Sequence, residues 1–161
     1  MDNLNSIFFP LLYSAIGILF LRGVYKTFMV KPDTAMDYMT KANYLTSFYK
    51  MRGLAIKTLQ EALNRFDNLS EEEKSFINFQ IGVNYYYKKK YEKAIEYFEV
   101  AWPYLKKAKI PYNKIYASIV VAYYDVGEKE KAREMYHYLK NKEKYDPRFG
   151  ALSYLENSIF K

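Results

Sequence analysis

After residue 33, apolar residues recur every three or four positions, which is the spacing of amphipathic α-helices. The pattern predicts helices in the segments KPDTAMDYMTKANYLTSFYKM and GLAIKTLQEALNRF, then over about 71–88, 91–106, 112–126 and 129–143, and a last one after Pro147. Ser70, followed three residues later by Glu73, has the capping-box spacing that marks a helix start. With only 6 Gly and 5 Pro in 161 residues, short strands joined by turns are disfavoured, and we expect an all-α fold.

The amino-terminal segment has a different pattern. Its run IFFPLLYSAIGILFL, residues 7–21, is uncharged and mostly apolar. A helix from Leu4 to Tyr25 would be about 33 Å long, enough to cross a hydrocarbon core of about 30 Å. Arg22, Tyr25 and Lys26 would then lie at the membrane interface, where basic side chains snorkel and amphipathic rings are favoured.

The charges that flank this run predict its orientation. Asp2 precedes the run, whereas Arg22, Lys26, Lys31 and Lys41 follow it. The positive-inside rule then places the amino terminus outside and the rest of the chain in the cytoplasm. A cleaved signal peptide is disfavoured, because no Lys or Arg precedes the run and no small-residue cleavage site follows it. The alternative to an uncleaved signal-anchor is the buried core helix of a soluble protein.

The helical part contains an internal repeat. EKAIEYFEVA (92–101) aligns with EKAREMYHYL (130–139), so that Ala94 falls on Ala132, 38 residues later. Upstream, GLAIKTLQEAL places Ala55 in the same register, 39 residues before Ala94. A period of this length indicates stacked helical hairpins.

The second unit resembles a tetratricopeptide repeat, since it has that family's residues at the family's spacing: Ile81, Gly82, Tyr85, Tyr91, Ala94, Phe98 and Ala101. The third unit has Tyr116, Ile119, Tyr123, Gly127, Ala132 and Tyr136, and the first has Ala42, Ala55, Leu59 and Ala62. The resemblance covers about residues 36–145 and implies a right-handed solenoid of three helical hairpins with a carboxy-terminal capping helix. The small residues Gly82, Ala94 and Ala101 should let helices approach closely.

The resemblance also implies a partner-binding groove on the concave face, formed mainly by the first helix of each hairpin. Its middle is aromatic and apolar, which suits an amphipathic helix or an extended hydrophobic peptide of a partner protein. The alternative is that the capping helix or neighbouring loops cover these rings. The residues carried over are Tyr44, Phe48, Phe76, Phe79, Val83, Tyr86, Tyr87, Val121 and Tyr124.

The net charge of +7 is concentrated in two clusters, Lys88–Lys90 and Lys106, Lys107 and Lys109. The first falls in the turn within a hairpin and the second in the turn between hairpins, so they lie at opposite edges and form no single phosphate track. Nucleic-acid binding is therefore disfavoured. Solubilising turns or contact with anionic lipid explain the clusters better.

The sequence also disfavours catalysis. It has no Cys and a single His, His137, and it lacks a phosphate-binding loop, an HExxH motif and a nucleophile elbow. We therefore expect no metal, no cofactor and no enzymatic activity.

Together these patterns favour a membrane anchor and juxtamembrane segment over residues 1–32 and a helical repeat domain over 33–161. The leading hypothesis is a membrane-anchored adaptor or scaffold that recruits a protein through its groove. A structural or assembly subunit of a multiprotein membrane complex is the alternative, and a binder of polyanions or lipid surfaces is a third. Frequent Lys, Tyr, Asn and Ile favour a bacterial host.

Overall fold

A computed structural model describes the backbone of residues 2–160 and the side chains of residues 9–160. Two compact units are present, Met1–Thr34 and Ala35–Lys161. The described backbone is helical and contains no strand, which confirms the predicted all-α class. The first unit holds the helix α1 (Asp2–Phe28), and the second holds the helices α2 to α8.

Helix α1 is long and apolar enough to cross a membrane. The stretch with this length and apolar character is Phe9–Phe28, and only 6% of its most apolar part is buried. Pro10 lies inside the helix, and the Ser14 hydroxyl donates a hydrogen bond of 2.8 Å to the Pro10 carbonyl. Arg22, Tyr25 and Lys26 are exposed near its carboxyl end.

The second unit contains the remaining predicted helices, with boundaries close to those expected. They are α2 (Ala35–Ser47), α3 (Arg52–Arg65), α4 (Glu71–Tyr87), α5 (Tyr91–Lys107), α6 (Ala117–Asp125), α7 (Lys129–Asn141) and α8 (Tyr154–Ile159). Three short 3-10 segments precede α6, follow α7 and precede α8: Lys114–Tyr116, Lys142–Lys144 and Pro147–Ser153.

The capping box predicted at Ser70 is confirmed. The Glu73 backbone N–H donates to the Ser70 hydroxyl at 3.2 Å, and the Ser70 backbone N–H donates to the Glu73 carboxylate at 2.9 Å. Two of the amide groups that a helix start leaves without intrahelical partners are thereby paired. The hydrogen bond from the Ser70 backbone N–H, and then one of 2.8 Å from the Ser70 hydroxyl to the same carboxylate, hold the pKa of Glu73 below its ordinary value.

Each helix of the second unit packs against the next one along the chain, from α2 through to α7. In addition, α2 contacts α4, and α4 contacts α6. The helices therefore pair as three hairpins, α2–α3, α4–α5 and α6–α7, and the first helix of each hairpin meets the first helix of the next.

The turns within the three hairpins share one backbone geometry. Lys50, Lys89 and Gly127 have positive φ values of 56°, 57° and 89°. The residue that directly follows each of them closes the turn by donating its backbone N–H to a carbonyl oxygen near the end of the first helix. The pairs are Met51 to Leu45 at 2.8 Å, Lys90 to Tyr85 at 3.0 Å, and Glu128 to Tyr123 at 2.9 Å. The closing bonds set a structural register in which Leu45, Tyr85 and Tyr123 are equivalent, with one extra residue in the first turn.

The close helix contacts predicted from small residues are confirmed. Ala55, Ala94 and Ala132, the equivalent residues of the three second helices, are all fully buried. At Gly82, an added Cβ would lie 2.6 Å from the Phe98 ring and 3.0 Å from the Ala94 carbonyl oxygen. The axes of α4 and α5 can approach this closely only because residue 82 has no side chain.

The segment after α7 completes the core of the third hairpin. Phe149, Leu152 and Leu155 are buried and belong to the same cluster as Phe98 and Tyr136. The Asp146 carboxylate accepts a hydrogen bond from the Arg148 backbone N–H and caps the 3-10 segment that starts at Pro147.

Three polar contacts tie this segment to the loop between α5 and α6. The buried Lys142 ammonium donates to the Ala108 carbonyl at 2.8 Å, and burial lowers the pKa of Lys142. The Tyr145 hydroxyl donates to the Ile110 carbonyl at 2.6 Å. The Tyr112 backbone N–H donates to the Asp146 carboxylate at 2.8 Å, and the hydrogen bonds from the Arg148 side chain, followed by this one, lower the pKa of Asp146.

Candidate functional site

Helix α2 carries an exposed aromatic pair. The rings of Tyr44 and Phe48 stack at 5.6 Å, and the two residues are 43% and 71% exposed. Thr40, Asn43 and Ser47 complete a shallow, open pocket of about 200 Å³ around them. We call these five residues the α2 face. Large exposed rings beside polar groups are typical of protein-binding surfaces.

The structural register shows why the α2 face is open. Tyr44 lies one residue before Leu45. Its counterparts are therefore the residues before Tyr85 and Tyr123, which are Asn84 in α4 and Ala122 in α6. Asn84 is 6% exposed and Ala122 is fully buried. Helices α4 and α6 each have a preceding hairpin packed against them, whereas α2 is the first helix of its unit. The α2 face is therefore the end of the helix stack.

The prediction that Phe79 and Val83 line an accessible groove is wrong, because they are only 2% and 9% exposed. The Phe79 ring lies 5.7 Å from that of Phe98 and 5.1 Å from that of Tyr116. Tyr116 belongs to the short 3-10 segment before α6, which brings its ring onto α4. These side chains are part of the core.

Other predicted groove residues are half-buried by the chain itself. Phe76 packs edge-on against Tyr104 at 6.1 Å, and Tyr124 packs edge-on against Phe160 at 6.3 Å. Val121 is half-buried within the same cluster. The carboxy-terminal segment and α5 thus cover part of the surface that the resemblance assigns to a partner.

Tyr86 lies in a cluster of phenol groups on this covered surface. The pKa of Tyr86 is raised mainly by burial. The Asp125 carboxylate and then the hydroxyls of Tyr91, Tyr87 and Tyr154 raise this pKa further. Phe160, which follows α8, packs against Tyr124, so the carboxy-terminal segment reaches the predicted groove. Coverage of these rings by the capping helix is the alternative that the sequence left open, and the structure shows it in part.

Tyr87 remains 48% exposed and joins two turns. The Arg52 guanidinium carbon, at the start of α3, lies 4.2 Å from the centre of the Tyr87 ring, at the end of α4. The turns of the first and second hairpins therefore form one surface, which we call the basic edge: Lys50, Arg52, Lys88, Lys89 and Lys90. Neither SFYKMR (47–52) nor YYYKKKY (85–91) contains an acidic residue.

The second lysine cluster lies away from this edge. Lys106 and Lys107 end α5, at the far end of that helix from Lys90. Helix α5 has 17 residues and is thus about 25 Å long, so the two clusters belong to separate surfaces. This placement agrees with the expectation that they form no continuous track.

The described part of the chain contains no group of three or more His, Asp or Glu residues that could hold a metal. His137 is exposed on α7. Two buried side-chain oxygens, those of Gln80 and Asn84, accept no hydrogen bond. Comparison with known proteins found no matching family model, no similar curated protein and no matching solved structure.

Proposed function

We propose that the chain is a membrane-anchored adaptor that binds a helix of a partner protein at the α2 face. Helix α1 would cross the membrane and hold the helical domain on its cytoplasmic side. The observation that carries this proposal is the exposure of Tyr44, with the Phe48 ring stacked on it, at a position that is buried in the next two hairpins. Tethering would raise the effective concentration of the α2 face for partners at the same membrane.

The finer fold that we propose is a right-handed solenoid of the tetratricopeptide type. Three features support it: the contacts between successive hairpins, the shared left-handed turn, and the contact of Gly82 with Phe98. In such a fold each hairpin offers one face to the hairpin before it and one to the hairpin after it. The α2 face is then a stacking surface without its neighbour.

The chain's own packing suggests the chemistry of the partner. The α4 face receives the helices α2 and α3, and the α6 face receives α4 and α5. An amphipathic helix that places apolar side chains against Tyr44 and Phe48 would continue this arrangement. The polar groups of Thr40, Asn43 and Ser47 would form the rim of the interface.

The test uses the full-length chain in the membranes of its host. A photo-crosslinking residue at position 48 should give a discrete adduct, whereas one at Val100, which is 61% exposed on α5, should not. The variant Tyr44→Ala with Phe48→Ala should lose capture of the same partner and keep its melting temperature, with Val100→Ala as the matched control. Equal capture of the partner by the unchanged chain, the double variant and Val100→Ala would contradict the proposal.

The same experiment separates the adaptor from a permanent subunit of a membrane complex. An adaptor should purify in detergent as a monodisperse chain without its partner. A subunit should instead aggregate unless the neighbouring chain is co-expressed, because its exposed rings would then belong to a permanent interface. If carbonate extracted the chain from membranes, the membrane anchor would be contradicted for both the adaptor and the subunit hypothesis.

A further inference from the structure

The basic edge combines cations with exposed apolar groups. Phe48 is 71% exposed, Tyr87 48% and Met51 42%, and all three lie within or beside the two lysine-bearing turns. The corresponding turn of the third hairpin has a different composition, DVGEKE, with three acidic residues. Of the three turns, only those of the first two hairpins, the hairpins nearest in sequence to α1, thus carry positive charge without acidic residues among it.

The backbone provides an independent observation. Lys50 and Lys89 hold left-handed conformations, with φ of 56° and 57°, where the equivalent residue of the third turn is Gly127. A side chain with a Cβ is strained in this region, and glycine is the usual residue there. Lysine is therefore present at two positions where it works against local stability. Strain of this kind is concentrated at functional sites.

Chain length brings this edge within reach of a membrane. Six residues separate Phe28, the end of α1, from Ala35, the start of α2. Even a fully extended connection of this length spans at most about 25 Å. If α1 crosses the membrane, as the proposed function requires, the helical domain cannot leave the region of the lipid headgroups.

We propose that the basic edge docks on the anionic headgroups of the membrane in which α1 is anchored. Lys50, Lys88, Lys89 and Lys90 contact lipid phosphates and carboxylates, while Met51 and Tyr87 insert at the interface and Phe48 stays on the α2 face. Each Lys or Arg near an anionic surface strengthens attraction roughly fivefold, and interfacial aromatic rings add to it. Docking orients the domain without covering the whole α2 face.

Lipid fits this edge better than nucleic acid or an acidic protein. The cations occupy only two adjacent turns, too few for a nucleic-acid track, and exposed apolar side chains lie among them. A tethered membrane is also present at all times, so weak contacts per lysine suffice.

The absence of Cys makes a site-specific probe straightforward. Full-length chain carrying Gly53→Cys, beside the basic edge, is labelled with an environment-sensitive fluorophore, since a Cβ at residue 53 meets no atom within 4 Å. The chain is placed in nanodiscs of phosphatidylcholine alone or with about 30% phosphatidylserine. We expect a blue-shifted, brighter emission only with phosphatidylserine, reversed by salt. A label at Asn68→Cys, in the turn at the other end of α3, should not respond.

Two variants with equal loss of charge give the control. Lys88→Ser with Lys89→Gly and Lys90→Ser should abolish the response, and because glycine suits position 89, unfolding would not explain the loss. Lys106→Ser with Lys107→Ser and Lys109→Ser should leave the response unchanged.

The outcomes also separate this proposal from the one on which it rests. Failure of the chain to enter nanodiscs would overturn the membrane anchor itself. Entry with no phosphatidylserine response at residue 53, or a response lost equally in both lysine variants, would overturn lipid docking alone. A response to added polyglutamate in neutral nanodiscs, without one to phosphatidylserine, would assign the edge to an acidic protein segment instead.

Discussion

The backbone of Gly82 lies directly against the ring of Phe98, because a Cβ at residue 82 would come within 2.6 Å of two of its carbon atoms. Phe98 is 1% exposed and cannot move aside without disturbing the core. This contact joins the two helices of the second hairpin, the unit in which the repeat pattern is most complete.

Replacement of Gly82 by Leu should therefore overpack the hairpin and destabilise the chain by about 1–3 kcal/mol. The measurement is thermal unfolding of the full-length chain in detergent, followed by circular dichroism. Gly53→Ala is the control, since it adds a methyl group to a helix where nothing lies within 4 Å, and it should stabilise by about 0.5–1 kcal/mol. Equal melting temperatures for Gly82→Leu and the unchanged chain would refute the close packing.

Lys89→Gly should stabilise the chain by up to about 1 kcal/mol, because glycine adopts the left-handed conformation without a steric penalty. Gly127→Lys makes the opposite change at the equivalent position and should destabilise by a similar amount. Denaturant unfolding of both variants checks the sign. A loss of stability in Lys89→Gly would mean that the lysine side chain stabilises its turn by contacts that outweigh the strain.

Phe79→Ala should cost about 3–5 kcal/mol, since it removes a buried ring that packs against Phe98 and Tyr116. Phe48→Ala removes the same side chain from a site that is 71% exposed and should change the melting temperature little. The pair tests directly which aromatic residues belong to the core. If Phe79→Ala unfolded at the same temperature as the unchanged chain, Phe79 would be a surface residue and not part of the core.

Alkaline pH should destabilise the helical domain. Burial, with a smaller effect of Tyr145, raises the pKa of Tyr116 to about 12, and burial followed by the hydrogen bond to Glu99 also raises the pKa of Tyr123. Because the folded pKa exceeds the unfolded value of about 10, the associated stability is complete below pH 10 and is lost as pH rises toward 12. Tyr116→Phe should unfold over a higher pH range, as followed by tyrosinate absorbance and circular dichroism together.

Acidic pH should loosen the carboxy-terminal segment. Hydrogen bonds from Arg148 and then from the Tyr112 backbone lower the pKa of Asp146. A depressed carboxyl pKa contributes stability that is present above about pH 4 and is lost as pH falls through the folded value. The protection factor of the Tyr112 amide, which is its exchange relative to the intrinsic rate at the same pH, should therefore fall in acid, and Asp146→Asn should show weaker pH dependence.

The sequence predicts the helices and their closest contacts because those depend on spacing within one hairpin. Gly82, Ala94 and Phe98 are separated by fewer than two dozen residues, and helical periodicity alone assigns them to facing surfaces. The capping box at Ser70 is local in the same way. Such features need no knowledge of distant parts of the chain.

Residues whose surroundings come from other hairpins could not be assigned in this way. Periodicity places Phe79 and Tyr44 on particular sides of their helices, but it does not show what covers those sides. Tyr116, from the next hairpin, buries Phe79, whereas Tyr44 stays exposed because no hairpin precedes α2 among the described residues. The groove prediction therefore failed in the middle of the domain and remains a prediction for Tyr44 and Phe48.

The ties between the α5–α6 loop and the segment around Lys142 also bear on folding during synthesis. Most packing in this domain joins neighbouring hairpins, so the first two can assemble as they leave the ribosome. The third hairpin must wait for Phe149 and Leu152, which complete its core. A released chain that ends before Pro147 should thus have two hairpins that resist proteases and a third that proteases still cleave.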